Sequence, residues 1–96
     1  MFTRVTVVQG SPENADRAVA AIQDQAAPAV RQIPGLTGAY WGVDRATGKA
    51  ISFTIFDTEE SMRASDEMAS EIRERAVAAA GAQILSVDTY EVVAQI

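Results

Sequence analysis

Two strand-like runs, "LTGAYWGVD" (36–44) and "KAISFTIF" (49–56), are separated only by "RATG", a connector that ends in glycine and suits a hairpin. One helix-patterned stretch flanks this hairpin on each side, and beyond each helix lies one more strand-like run. The first is "FTRVTVVQ" (2–9), rich in β-branched residues and stopped by Gly10. Ser11 is placed to cap the first helix, with Pro12 at a position where its missing N–H costs nothing. From Ala15 an apolar stripe runs through Val19, Ile22, Ala26, Val30 and Ile33. Pro28 interrupts that stripe, so a kink or restart is expected near residue 28, and "PG" at 34–35 ends the helix.

Thr58 is placed to cap the second helix, and Glu59 and Glu60 lie near the positive end of its dipole. Its stripe is Met62, Ser65 or Ala69, Ile72, Ala76 and Ala79 or Ala80. Arg73 and Arg75 sit toward the negative end, before a Gly81 cap. "AQILSVDTYEVVAQI" (82–96) closes the chain as a long strand. The order β-α-β-β-α-β is the ferredoxin-like pattern, an α+β fold of one domain over residues 1–96. Right-handed crossovers put both helices on one face of a four-stranded antiparallel sheet.

Alternation then divides each strand into two sets. Val5 and Val7 oppose Phe2, Arg4, Thr6 and Val8, while Ile51, Phe53 and Ile55 oppose Ala50, Ser52, Thr54 and Phe56. The purely aliphatic and aromatic sets are expected to meet the helices. The other sets mix hydroxyls with apolar groups and lack the Lys/Glu density of a solvated face. A half-apolar face calls for a second layer, which a second copy of the chain supplies by face-to-face packing into a barrel. The tail "EVVAQI" suits strand exchange across that interface.

Composition narrows the chemistry. A net charge of −5 disfavours nucleic acid and anionic membrane surfaces, because both require a clustered basic excess. The chain has no cysteine and no histidine, which excludes Cys-ligated zinc, thiolate nucleophiles and Ser-His-Asp or Cys-His catalysis within it. No signal-peptide pattern or membrane-length apolar run is present, so a cytoplasmic location is expected. The acidic group Asp57, Glu59 and Glu60 reads as a solvated helix start, and no metal site is expected.

The stretches "IPGLTGAYWGVD", "GKAISFTIF" and "FDTEESMRAS" resemble the dimeric α/β barrel superfamily, and within it the antibiotic-biosynthesis-monooxygenase-like group. In that group a Pro-Gly leads into strand two, and an aromatic–acidic–x–acidic run opens the second helix. Here that run is Phe56, Asp57, Thr58 and Glu59, with phenylalanine where many members carry tryptophan. The resemblance implies a homodimer and, for some members, cofactor-independent oxidation of aromatic polyketides. The haem-degrading branch carries an asparagine on strand one and a tryptophan and histidine on helix two, and this chain has none of the three there.

Strand parity puts Arg4, Thr6, Tyr40, Ser52 and Thr54 on the barrel side. Strand four adds either Asp88 and Tyr90 or Thr89 and Glu91, because a bulge would switch its facing. Tyr40 is flanked at i±2 by Gly38 and Gly42, which clear space around its ring, and Trp41 then falls on the helix side. For a cofactor-free oxygenase, Arg4 would hold a phenolate or enolate, Tyr40 would donate and stack, and Asp88 would be the base. Arg4 paired with an acidic residue across the dimer, and Ser52 and Thr54 as ordinary strand residues, are the plainer readings. The function expected is binding of a small hydrophobic or aromatic molecule, with a non-enzymatic assembly or ligand-sensing module as the alternative. A cavity of roughly 300 Å³ or more favours the first.

Overall fold

The computed structural model describes residues 1–96. Strand β1 (Phe2–Gln9) leads through a 3₁₀ turn at Pro12–Asn14 into helix α1 (Ala15–Ala21). A π-helical segment, Ile22–Ala26, follows, and then the short helix α2 (Ala27–Val30). The disturbance expected near residue 28 thus begins six residues earlier. Proline clashes with the carbonyl one turn before it. Widening that turn to i→i+5 bonding removes the clash and leaves Pro28 in the first turn of α2, where no N–H is needed.

Strands β2 (Leu36–Val43) and β3 (Lys49–Phe56) form the expected hairpin. Asp44 Oδ1 accepts from the backbone N–H of Ala46 at 2.9 Å and of Thr47 at 3.3 Å. Gly48 then reverses the chain with φ +79°. A Cβ there would lie 2.6 Å from the Ser11 carbonyl carbon and 2.7 Å from the Gly10 carbonyl oxygen, so only glycine fits.

The second helical region is α3 (Glu59–Ala64) and α4 (Asp66–Ala80), broken at Ser65. Thr58 caps α3 as expected, its Oγ1 accepting from Ser61 N–H at 3.1 Å, and Gly81 ends α4 in the left-handed region with φ +68°. Strand β4 (Gln83–Glu91) is shorter than the 82–96 run. A bulge opposite Val7 and Val8 shifts its register, and residues 92–96 lie outside the strand. No helix is long and apolar enough to cross a membrane.

All pairings are antiparallel, in the order β2-β3-β1-β4. Residues paired across strands share a face. One row is therefore Trp41, Ser52, Thr6 and Val87, and the neighbouring row on the opposite face is Tyr40, Phe53, Val5 and Asp88. Phe56 is wholly buried with Val30, Ile33 and Met62, and Trp41, Leu36 and Ile72 pack around them. The helices thus cover the Phe2, Arg4, Thr6 and Ala50, Ser52, Thr54, Phe56 sets. For β1 and β3 this reverses the expected facing. The more uniformly apolar set, Val5, Val7, Ile51, Phe53 and Ile55, faces away from the helices. The assignment for β2 holds: Trp41 packs toward the helices, and Tyr40 stands 70% exposed on the other face.

Candidate functional site

Over the Trp41–Ser52–Thr6 row the helix layer is built from small residues. Ala18 and Ala21 of α1, Ala26 of the π segment, and Ala69 and Ala76 of α4 face the sheet. Side chains this short do not close the gap to the strands, and a cavity of about 100 Å³ remains. Its walls are mostly apolar, with Trp41 at one side and Ile22 and Ile72 from the helices. The volume is a third of the roughly 300 Å³ that favours small-molecule binding, so that mark is not reached, and it is also below the ~150 Å³ of a cavity known to hold benzene.

Polar groups gather where Arg4 and Thr54 pair across β1 and β3. Arg4 is buried and points at the junction of α3 and α4. It donates to the Met62 carbonyl at 2.8 Å and to Ser65 Oγ at 3.2 Å, and pairs with Asp66. Its guanidinium also lies 5.7 Å from the Phe56 ring centre, within cation–π range. The acidic partner expected across a dimer is thus found within the subunit. Thr54 is buried in the cavity wall, and its Oγ1 has no hydrogen-bond partner. Arg73, half-buried on α4, completes this end and makes no ion pair. Burial lowers its pKa from the usual guanidinium value, and the charge of Arg4 lowers it further. Glu74 and Asp66 act in the opposite direction.

The seven site residues expected from sequence divide between the two faces of the sheet. Arg4, Thr6, Ser52 and Thr54 converge on the cavity. Tyr40, Asp88 and Tyr90 lie on the opposite face, where Asp88 pairs with Val5 and Tyr90 with Thr3. Asp88 therefore cannot serve as base to a molecule held by Arg4. The ionisable side chains lining the cavity are Arg4 and Arg73, both cationic, so this site offers oxyanion stabilisation without a carboxylate base. Arg73 was read from sequence as a partner of the helix dipole. Its position four residues after Ala69 and three before Ala76, both on the inner stripe, was the available signal that it faces inward.

A second cleft, with about 270 Å³ of open space, lies between the π segment and α4. It is larger, but its rim is Gln25, Met68, Glu71 and Arg75, all exposed, and it contains no buried polar group to orient a ligand. The smaller internal cavity is the better-built site.

No protein-family model matches the chain. Two Mycobacterium tuberculosis proteins, Uncharacterized protein Rv2558 and Uncharacterized protein Rv2557, are 36% and 33% identical to it over 79% and 78% of its residues. The chain spans about a third of the length of these curated relatives, 32% and 34% respectively. Among solved structures, a candidate antibiotic biosynthesis monooxygenase from Deinococcus radiodurans is 18% identical, with a TM-score of 0.74 over 100% of this chain and 96% of that one. A monooxygenase from Streptomyces coelicolor, in complex with nanaomycin D, gives 0.72 at 15% identity over 99% and 89%. SnoaB, a cofactor-independent oxygenase from Streptomyces nogalater, gives 0.69 at 12% identity over 99% and 95%. The likeness covers the whole chain in its fold: the ferredoxin-like arrangement of this chain is the one these antibiotic-biosynthesis-monooxygenase structures share.

Proposed function

We propose that residues 1–96 act as one domain, a cytoplasmic monooxygenase-like barrel subunit that binds a small hydrophobic or aromatic molecule in the cavity between sheet and helices. The observation that carries this reading is the cavity itself, apolar along the alanine-rich helices, with Arg4, Thr54 and Arg73 grouped on one side and few other polar groups in its lining. Such a layout orients a small ligand by one polar group and holds its body by shape. Trp41 is the chain's single tryptophan and lines the cavity, so its fluorescence reports occupancy. Single-ring aromatic compounds are expected to change that emission saturably, and Ala76→Phe, which fills the space, is expected to abolish the change. No saturable response from a broad panel would overturn the reading. Oxygen uptake with small hydroquinones tests the oxygenase form: binding without uptake leaves a carrier or sensor. The sensor alternative draws support from the mycobacterial relatives, in which the matched region is a third of a longer chain.

The reading includes pairing with a second copy through the free sheet face. Tyr40, Tyr90 and Phe53 are 70%, 55% and 37% exposed there, beside the half-buried Val5, Val7, Ile51 and Ile55. Apolar groups this dense on one face favour a covering layer. Light scattering at micromolar concentration is expected to give twice the 10.2 kDa chain mass. Phe53→Lys, at the middle of the face, is expected to give the single-chain mass with unchanged circular dichroism. A wild type that scatters as one chain would refute the pairing.

A further inference from the structure

The polar end of the cavity contains a buried hydroxyl that nothing in the chain satisfies and an arginine that forms no ion pair. Arg4 is met by Asp66, Ser65 and the Met62 carbonyl. Arg73 lines the same cavity, half-buried, and forms no ion pair. The Thr54 hydroxyl is also without a partner, and it is fully buried in the sheet wall beside Arg4. The two observations are independent: one is a cation without an ion pair on α4, the other an orphaned hydroxyl on β3. Buried polar groups are normally paired, and those that are not call for a specific explanation. For Thr54 packing does not provide one, since valine would fill the same place.

From this orphaned hydroxyl and this unpaired arginine we infer that the cavity binds a small monocarboxylate, its two oxygens accepting from Arg73 and Thr54 and its single ring or short aliphatic body lying along the alanine-lined helices. The inference rests on the cavity being a small-molecule site and adds the class of ligand. A carboxylate is acceptor-only, and its two oxygens match a planar guanidinium. No carboxylate lines the cavity to repel it, and with Arg4 paired to Asp66 the cation left to attract it is Arg73. A carboxamide of the same shape would bring its own N–H donors against these donors. Size sets the other limit: about 100 Å³ accommodates little beyond one ring.

The test compares benzoate with its neutral isostere benzamide, by Trp41 fluorescence and by calorimetry, on the full chain. Benzoate is expected to bind at least ~10-fold more tightly, the factor typical of a hydrogen bond to a charged group. Arg73→Gln is expected to erase that preference, with Arg73→Lys restoring part of it. Thr54→Val preserves shape and is expected to weaken benzoate several-fold. Equal binding of the two probes, or benzoate binding unchanged in Arg73→Gln, would overturn the inference. The second outcome would place the anion at an exposed arginine, and a benzoate affinity unchanged in Thr54→Val would leave water as the partner of that hydroxyl. If benzamide or toluene binds and benzoate does not, the aromatic-binding reading survives and this one falls. If none of the three binds, both fall.

Discussion

Phe56→Ala is expected to lower stability by about 3–5 kcal/mol, the range for removing a fully enclosed aromatic side chain. Phe56 is 0% exposed and holds Val30 and Ile33 from the first helical region against Met62 from the second. Its removal leaves a void that three separate elements would have to close. A domain this size has ~5–15 kcal/mol in total, so the variant approaches the limit of folding. Thermal denaturation should show a fall in Tm of roughly 12 °C or more. A loss below ~1 kcal/mol would mean that this contact is not the centre of the core. Phe56→Leu keeps much of the volume and is expected to cost well under half as much.

Arg4→Ala is expected to cost about 2–4 kcal/mol, through lost packing and lost hydrogen bonds rather than through the ion pair. The arginine is buried, but Asp66 is largely exposed, and a half-solvated pair contributes little. Asp66→Asn is therefore expected to cost less than ~1 kcal/mol. The larger effect comes from the break at Ser65. There the Arg4 guanidinium bonds the Met62 carbonyl and Ser65 Oγ, while Ser65 Oγ itself donates to Met62 O at 2.7 Å. Arg4→Met restores the stem without the donors, so urea denaturation of the two variants separates packing from bonding. Because Arg4 also lies against the Phe56 ring, the two losses should not add in the double variant. An Asp66→Asn loss equal to that of Arg4→Ala would contradict this account.

Much of the fold was legible because its signals are local. The hairpin at 45–48, the Thr58 cap and the Gly81 stop each depend on a few adjacent residues, and each is present. The effect of Pro28 was also legible in kind. Its position was not, because the chain relieves the clash upstream with a π segment, and the proline remains helical. The break at Ser65 had no local sign, since it is tied to Arg4, 61 residues earlier.

The candidate site was half legible. Arg4, Thr6, Ser52 and Thr54 share one face, but Tyr40 was joined to them from the other, and of the two alternatives left open in β4 it is Thr89 and Glu91, not Asp88 and Tyr90, that lie on the Arg4 face. The β2 assignment succeeded because Gly38 and Gly42 beside Tyr40 distinguished its two sides. In β1 and β3 the more apolar set was read as the inner one, and there the rule failed. The helix layer is rich in alanine and leaves space, and the side chains that meet it include a buried arginine with its own partners.

The sequence by itself determined the order of elements, the hairpin turn, the Thr58 and Gly81 caps, and which side chains share a face within each of β1, β2 and β3, whereas the Ser11 side chain expected to cap the first helix makes no such bond. These follow from backbone geometry with periods of 2 and 3.6 residues, whatever lies elsewhere in the chain. Only the tertiary structure decided which face of the sheet is inside, and therefore that a cavity lies between the sheet and the helices. That choice depends on the volume the helix layer leaves and on partners for Arg4 more than fifty residues away. Alternation within a strand is the same whichever face is buried.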